Sequence, residues 1–146
     1  MKEPLMRNIV DTLAKVKSKQ DIQAALEVYH PQAKLITVGL NAEAQGRLEI
    51  EQQLNVFYKL FPDYHVELSQ VACNTQILLA TGNVYVTPTL PNQQCKAVKQ
   101  QASFSFEFKD NKIVKEVFYL DFSQLCNKAD ISQKQLSNAM KFYLTA

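Results

Sequence analysis

Asp121 is the residue of this chain best placed to move a proton, because it ends a strand-like run of apolar and polar residues, Lys112–Asp121. A carboxyl group set against apolar surface has its charged form disfavoured, and a group tuned that way can take and return a proton near neutral pH. The same residues allow a second role. Asp121-Phe122-Ser123-Gln124 has the D-x-x-Q pattern of a helix N-cap, where aspartate is strongly favoured. Residue type alone leaves both open.

Other chemistry-bearing residues are sparse. His30 precedes Pro31 at a helix end and reads as an exposed turn residue, while His65 alternates with Glu67 on the polar side of a strand. Two separated histidines and three scattered cysteines, Cys73, Cys95 and Cys126, give neither metal-ligand spacing nor a disulfide framework. No metal site is expected, and a reducing, cytoplasmic compartment fits this cysteine usage. Tyr58, Tyr85 and Tyr119 are ambiguous, since a buried phenol packs in a core but wants a polar partner, which a ligand can supply. Only three glycines occur, which excludes a phosphate-cradling loop or a dinucleotide fingerprint. The charge of +2 includes only two arginines, Arg7 and Arg47, so no nucleic-acid partner is expected. No stretch approaches the length of a membrane-spanning helix, and no signal-peptide core opens the chain.

These residues must be positioned by a core that 146 residues and 47% apolar composition can supply. The chain reads as one continuous domain over residues 1–146. Leu5, Ile9, Leu13 and Val16 recur at helical spacing between Pro4 and Lys17, with Met6 and Val10 beside them. A second helix runs from Asp21 to Tyr29, followed by a short strand from Ala33 to Val38. A third helix opens at Gly46 with the stripe Ile50, Leu54, Phe57 and Phe61, and Pro62 ends it. Then come four strand-like runs, Tyr64–Ala72, Gln76–Thr87, Lys99–Lys109 and Lys112–Asp121. The connection around Pro88 and Pro91 has the length of a lid. Ser132-x-x-Gln135 resembles a capping box, and it opens a final helix with the stripe Leu136, Ala139, Met140, Tyr143 and Leu144. Helices first and consecutive strands afterwards make an α+β architecture.

The last hairpin sets the direction of Asp121. With Asp110-Asn111 as a two-residue turn, Phe108 faces Ile113, Phe106 faces Lys115 and Phe104 faces Val117. Ala102 then meets Tyr119, and Gln100 meets Asp121. Strand alternation puts all of these on the phenylalanine-rich face, turned toward the helices. A loop of odd length would reverse that parity. Lys115 is the awkward member of this face and would have to reach solvent at its edge.

Four motifs occur in a suggestive order: Tyr29-His30-Pro31-Gln32-Ala33, Gly46-Arg47-Leu48-Glu49-Ile50, Leu60-Phe61-Pro62-Asp63-Tyr64, and Ile113-Val114 with Tyr119-Leu120-Asp121. In that order and spacing the chain resembles the SnoaL-like polyketide cyclase family of the nuclear transport factor 2-like superfamily, over about residues 5 to 128. The resemblance implies an α+β cone, a curved and mostly antiparallel sheet wrapped round helices with a pocket between them, usually in homodimers. It implies that Asp121 holds the place of the acid/base in a cofactor-independent aldol closure. The chain departs from the family in Asn111 for the usual turn glycine, Val117 where an aromatic is common, and Lys128-Ala129-Asp130 where Gln-Leu-Gly often follows. The helix over residues 131–146 extends past the usual family end.

Two functions are therefore expected as alternatives. One is proton transfer on a hydrophobic carbonyl compound, of cyclase, isomerase or lyase type, with Asp121 as acid/base. Tyr58, Gln100, Phe104, Val117 and Tyr119 would then be the substrate contacts. The other is a non-catalytic dimeric domain that holds a hydrophobic metabolite.

Overall fold

A computed structural model describes residues Met1–Thr145. Helix α1 (Glu3–Ser18) buries Met6, Val10 and Leu13, one position round from the expected stripe, and leaves Leu5 40% exposed. Lys17 continues the buried line at helical spacing, so the same face that packs the core carries an ammonium group inward. Helix α2 (Ile22–Val28) is capped by Asp21, whose carboxylate accepts from the Ala24 N–H at 3.1 Å. Helix α3 (Gly46–Leu60) buries Ile50, Leu54, Val56, Tyr58 and Leu60.

The long strands are β1 (Tyr29–Val38), β3 (His65–Cys73), β4 (Ile77–Val86), β7 (Val98–Lys109) and β8 (Lys112–Tyr119), with β2 (Ala42–Gln45) at one edge. They form one sheet in the order β2-β1-β8-β7-β4-β3, in which only β1 and β8 run parallel. Pairing the first long strand with the last draws the sheet round α1 and α3. This is the expected α+β cone. Strand β1 begins four residues earlier than expected, and its register against β8 slips between Tyr29 and Lys34. Pro31, which has no N–H to give a ladder, lies inside that irregular stretch.

Three irregularities bend the sheet. Besides the slip in β1, a bulge in β3 between Leu68 and Gln70 lies opposite Gly82, and one in β8 lies opposite the Glu107–Phe108 step. A Cβ at Gly82 would overlap the Glu67 carbonyl oxygen and sit 3.0 Å from the Leu68 Cα, so only glycine admits this close approach. Gly82→Ala is expected to lower stability by about 2 kcal/mol or more, a fall in Tm of several degrees in a thermal melt. An unchanged Tm would show that the strands can part without cost.

The bulge in β8 corrects the expected register. Phe108 pairs with Ile113 as anticipated, but Glu107 already pairs with Lys115, leaving Val114 as the extra residue. Every later side chain of β8 is therefore turned over. Phe104 pairs with Phe118, not Val117, and Tyr119 pairs with Ser103, not Ala102. Lys115 leaves the apolar face and reaches Glu107 across the outer one at 3.8 Å.

Between β4 and β7 the connection forms a small hairpin, β5 (Thr89–Leu90) with β6 (Gln93–Gln94). Helix α4 (Phe122–Ala129) ends on Asp130 in left-handed conformation, φ 64°, where glycine would be usual. Helix α5 (Gln133–Thr145) opens with the expected reciprocal capping box. Ser132 Oγ accepts from the Gln135 N–H at 3.0 Å, and Gln135 Oε1 accepts from the Ser132 N–H at 2.7 Å. Among the described residues no helix is long and apolar enough to cross a membrane.

Candidate functional site

Inside the cone the inward face of β8 carries Glu116, only 2% exposed. It is the carboxylate that the bulge brings inward. Its neighbours are supplied by other elements: Lys17 from the end of α1 and Tyr29 from the start of β1. Lys17 Nζ donates to Oε1 at 3.1 Å and to Oε2 at 3.3 Å, and the Tyr29 hydroxyl donates to Oε1. The ammonium also stands 5.4 Å from the centre of the Tyr29 ring. Arg47, at the start of α3, holds the Tyr29 carbonyl with two N–H groups at 2.7 and 3.2 Å, which fixes the strand from which that phenol projects. The Tyr29 hydroxyl and the Tyr29 ring beside the ammonium offset part of what it costs to bury this ion pair. Oε2 has only Lys17 as a partner, which leaves it acceptor capacity.

Glu116 and Lys17 line a cavity of about 30 Å³ with Leu35, Thr37, Gln53, Leu54, Phe57, Tyr58, Tyr64 and Phe118. Such a space holds about one water molecule or one ligand atom group. Two polar atoms in this lining are buried without a protein partner, the Tyr58 hydroxyl and Gln53 Oε1. An unpartnered buried polar atom costs free energy that a ligand can return. Burial holds the phenols of Tyr29, Tyr58 and Tyr64 above the usual tyrosine range, and the Glu116 carboxylate adds to this in all three. All three remain protonated, so each is a hydroxyl able to donate.

Thr37, Gln53 and Phe57 also line an open cleft of about 490 Å³, bounded by α3, the β1–β2 turn and the end of α5. The cleft has the volume of an ordinary metabolite, and it shares Thr37, Gln53 and Phe57 with the small cavity.

The structure separates the residues expected to act together. Tyr58 stands at the cavity beside Glu116. Phe104 is on the inner wall, stacked on Phe118 at 5.0 Å between ring centres, and it lines a second space of about 10 Å³ on the far side of Lys17 and Glu116. Gln100 is buried and does meet Asp121, but through the backbone: its Nε2 donates to the Asp121 carbonyl at 2.7 Å. Val117 and Tyr119 are on the outer face, Tyr119 46% exposed. Asp121 is exposed and caps α4, accepting from the Gln124 N–H at 3.0 Å, the second of the two roles its sequence allowed. The register expected from the sequence, with Lys115 inside, puts its neighbour Glu116 outside by alternation, and nothing in the sequence marks Lys17, Tyr29, Tyr64 or Gln53 as a site residue. Lys115 was the available signal, because moving it off the apolar face brings Glu116, Phe118 and Leu120 onto it. Among the described residues no group of three His, Cys, Asp or Glu side chains is arranged to hold a metal ion.

A family model described as SnoaL-like domain matches residues 9–116. No curated protein sequence matches the chain. Among solved structures, a hypothetical protein of ketosteroid isomerase-like fold from Catenulispora acidiphila DSM 44928, in complex with trimethylamine, superposes with TM-score 0.78 at 10% identity, covering 85% of this chain and 93% of that one. TerC, co-crystallized with polyporic acid, gives 0.74 at 13% identity over 88% and 99%. A protein from Shewanella putrefaciens CN-32, provisionally named a SnoaL-like polyketide cyclase, gives 0.72 at 12% over 87% and 97%. At these identities the likeness establishes the fold, which is ketosteroid isomerase-like, or nuclear transport factor 2-like.

Proposed function

The chain belongs to the SnoaL-like domain family, and from that premise we propose that it binds a hydrophobic carbonyl compound and moves a proton on the carbon beside that carbonyl. The apolar body lies in the cleft, and the carbonyl oxygen enters the small cavity to accept from the Tyr58 hydroxyl. A hydroxyl on the ligand can donate to Gln53 Oε1. Glu116 Oε2 takes the proton as the neighbouring C–H bond breaks, its electron pair moving into the enolate. The Tyr58 O–H then stabilises the charge on oxygen, and Glu116 returns the proton in the second half of the reaction. Whether the outcome is ring closure, isomerisation or elimination depends on what the enolate does next.

The observation that carries this reading is the pair of partnerless buried polar atoms, on Tyr58 and Gln53, in a lining that also contains a carboxylate. Tyr58→Phe tests it. With 2-acetylnaphthalene as probe, the variant is expected to bind roughly tenfold more weakly, the scale of one lost buried hydrogen bond. Its stability should not fall, because the hydroxyl has no partner within the protein. Unchanged affinity would remove Tyr58 from the site.

One observation favours a second reading, a binding domain without turnover: both Glu116 oxygens are already engaged, by Lys17 and Tyr29. Solvent deuterium separates the two. A proton-transfer enzyme exchanges the methyl hydrogens of the bound ketone, and a carrier leaves them in place.

A further inference from the structure

The C-terminal helix makes the outer wall of the cleft, through Met140 and Leu144. Its apolar stripe is incompletely covered by the protein. Leu136 and Ala139 near its start are buried and Met140 is partly so, but Leu144 is 65% exposed. The uncovered end therefore lies where the cleft opens.

The helix is held there by polar contacts to the small hairpin as well as by packing. Gln135 Nε2 donates to Gln93 Oε1 at 2.6 Å, and the Tyr143 hydroxyl donates to the Thr89 carbonyl at 2.7 Å. The expected lid connection is thus a shelf for α5, and α5 is the element that covers. The family match ends at residue 116, so this wall is built from residues outside it.

We propose that Met140 and Leu144 determine specificity: they close on the apolar end of the ligand and set the length of compound the cone accepts. This rests on the reading that a carbonyl compound occupies the cleft. Helix α3 lines the cleft with Glu49, Gln52 and Gln53 in its first part and with apolar Val56, Phe57 and Leu60 towards its end, so an apolar ligand body held between that end and α5 covers the part of the α5 stripe that the protein leaves open. A compound whose carbonyl is anchored at Tyr58 touches Leu144 only if its body is long enough to reach the mouth.

The test uses two ketones, acetophenone and 2-acetylnaphthalene, which differ by one ring. Protein labelled at the methionine methyl groups reports directly, because the chain has three methionines and Met6 is fully buried away from the cleft. Binding of 2-acetylnaphthalene is expected to shift the Met140 methyl resonance and leave that of Met6 in place. Leu144→Ala is expected to weaken 2-acetylnaphthalene roughly fivefold and acetophenone by clearly less, in keeping with lost apolar contact at the far end only. Leu144→Trp is expected to reverse the preference toward the shorter ketone.

Equal losses for both probes, or a Met140 signal that stays still while Tyr58→Phe still weakens binding, would overturn the role of α5 and leave the carbonyl reading intact. Failure of both ketones to bind wild-type protein would overturn both.

Discussion

Glu116→Gln slows solvent-deuterium exchange into the methyl group of 2-acetylnaphthalene by about a hundredfold or more, while Asp121→Asn leaves the exchange unchanged. The expected size is that of removing a positioned general base. The contrast follows from direction: Glu116 points into the cavity and Asp121 caps a helix on the surface. The amide also leaves the Lys17 charge uncompensated, and breaking a buried pair from one side costs about 3–5 kcal/mol. The double variant Lys17→Met/Glu116→Gln removes that cation and should recover much of the stability without recovering exchange. If the double variant is stable and still exchanges at the wild-type rate, Glu116 is not the base. If Asp121→Asn abolishes exchange, the acid/base lies where the sequence first suggested.

The second large effect is alkaline unfolding. In an unfolded chain each tyrosine ionises near pH 10. In the fold, burial and the Glu116 charge hold Tyr29, Tyr58 and Tyr64 protonated well above that. Above pH 10 the unfolded chain has therefore released protons that the folded one keeps, so stability falls as pH rises. It is fully present below pH 10 and declines by up to about 4 kcal/mol per pH unit when all three phenols contribute. A domain of ordinary stability unfolds within a few pH units of that onset. Tyrosinate absorbance and circular dichroism followed together provide the check. The three buried phenols should ionise in one step with the loss of secondary structure. A smooth titration of all six tyrosines near pH 10, with the fold intact, would contradict their burial.

How much of this was legible in the sequence depends on the kind of signal. The helices and the last four of the five long strands were readable because period, proline stops and capping pairs act locally. Ser132 with Gln135, and Asp121 as an N-cap, are such cases. The slip at Val114 was not readable, since a bulge is chosen by which side chains the whole sheet can bury together. Placing Lys115 outside with Glu107, and Phe118 against Phe104, gains more than an unbroken ladder. Lys17 and Tyr29 were hidden for a related reason. Each looks like an element-end residue, and only the pairing of β1 with β8 brings them to the same carboxylate. The burial of Tyr58 was readable because its helical position alone sets it.

The small size of the inner cavity has a consequence of its own. If the proposed ligand enters it, a space of about 30 Å³ would sort molecules by the thickness of their polar tip before any hydrogen bond is judged. Phe57 lines both this space and the cleft. On that reading the cone would act as a keyhole gauge, indifferent to much of what hangs outside it and strict about the narrow end that goes in.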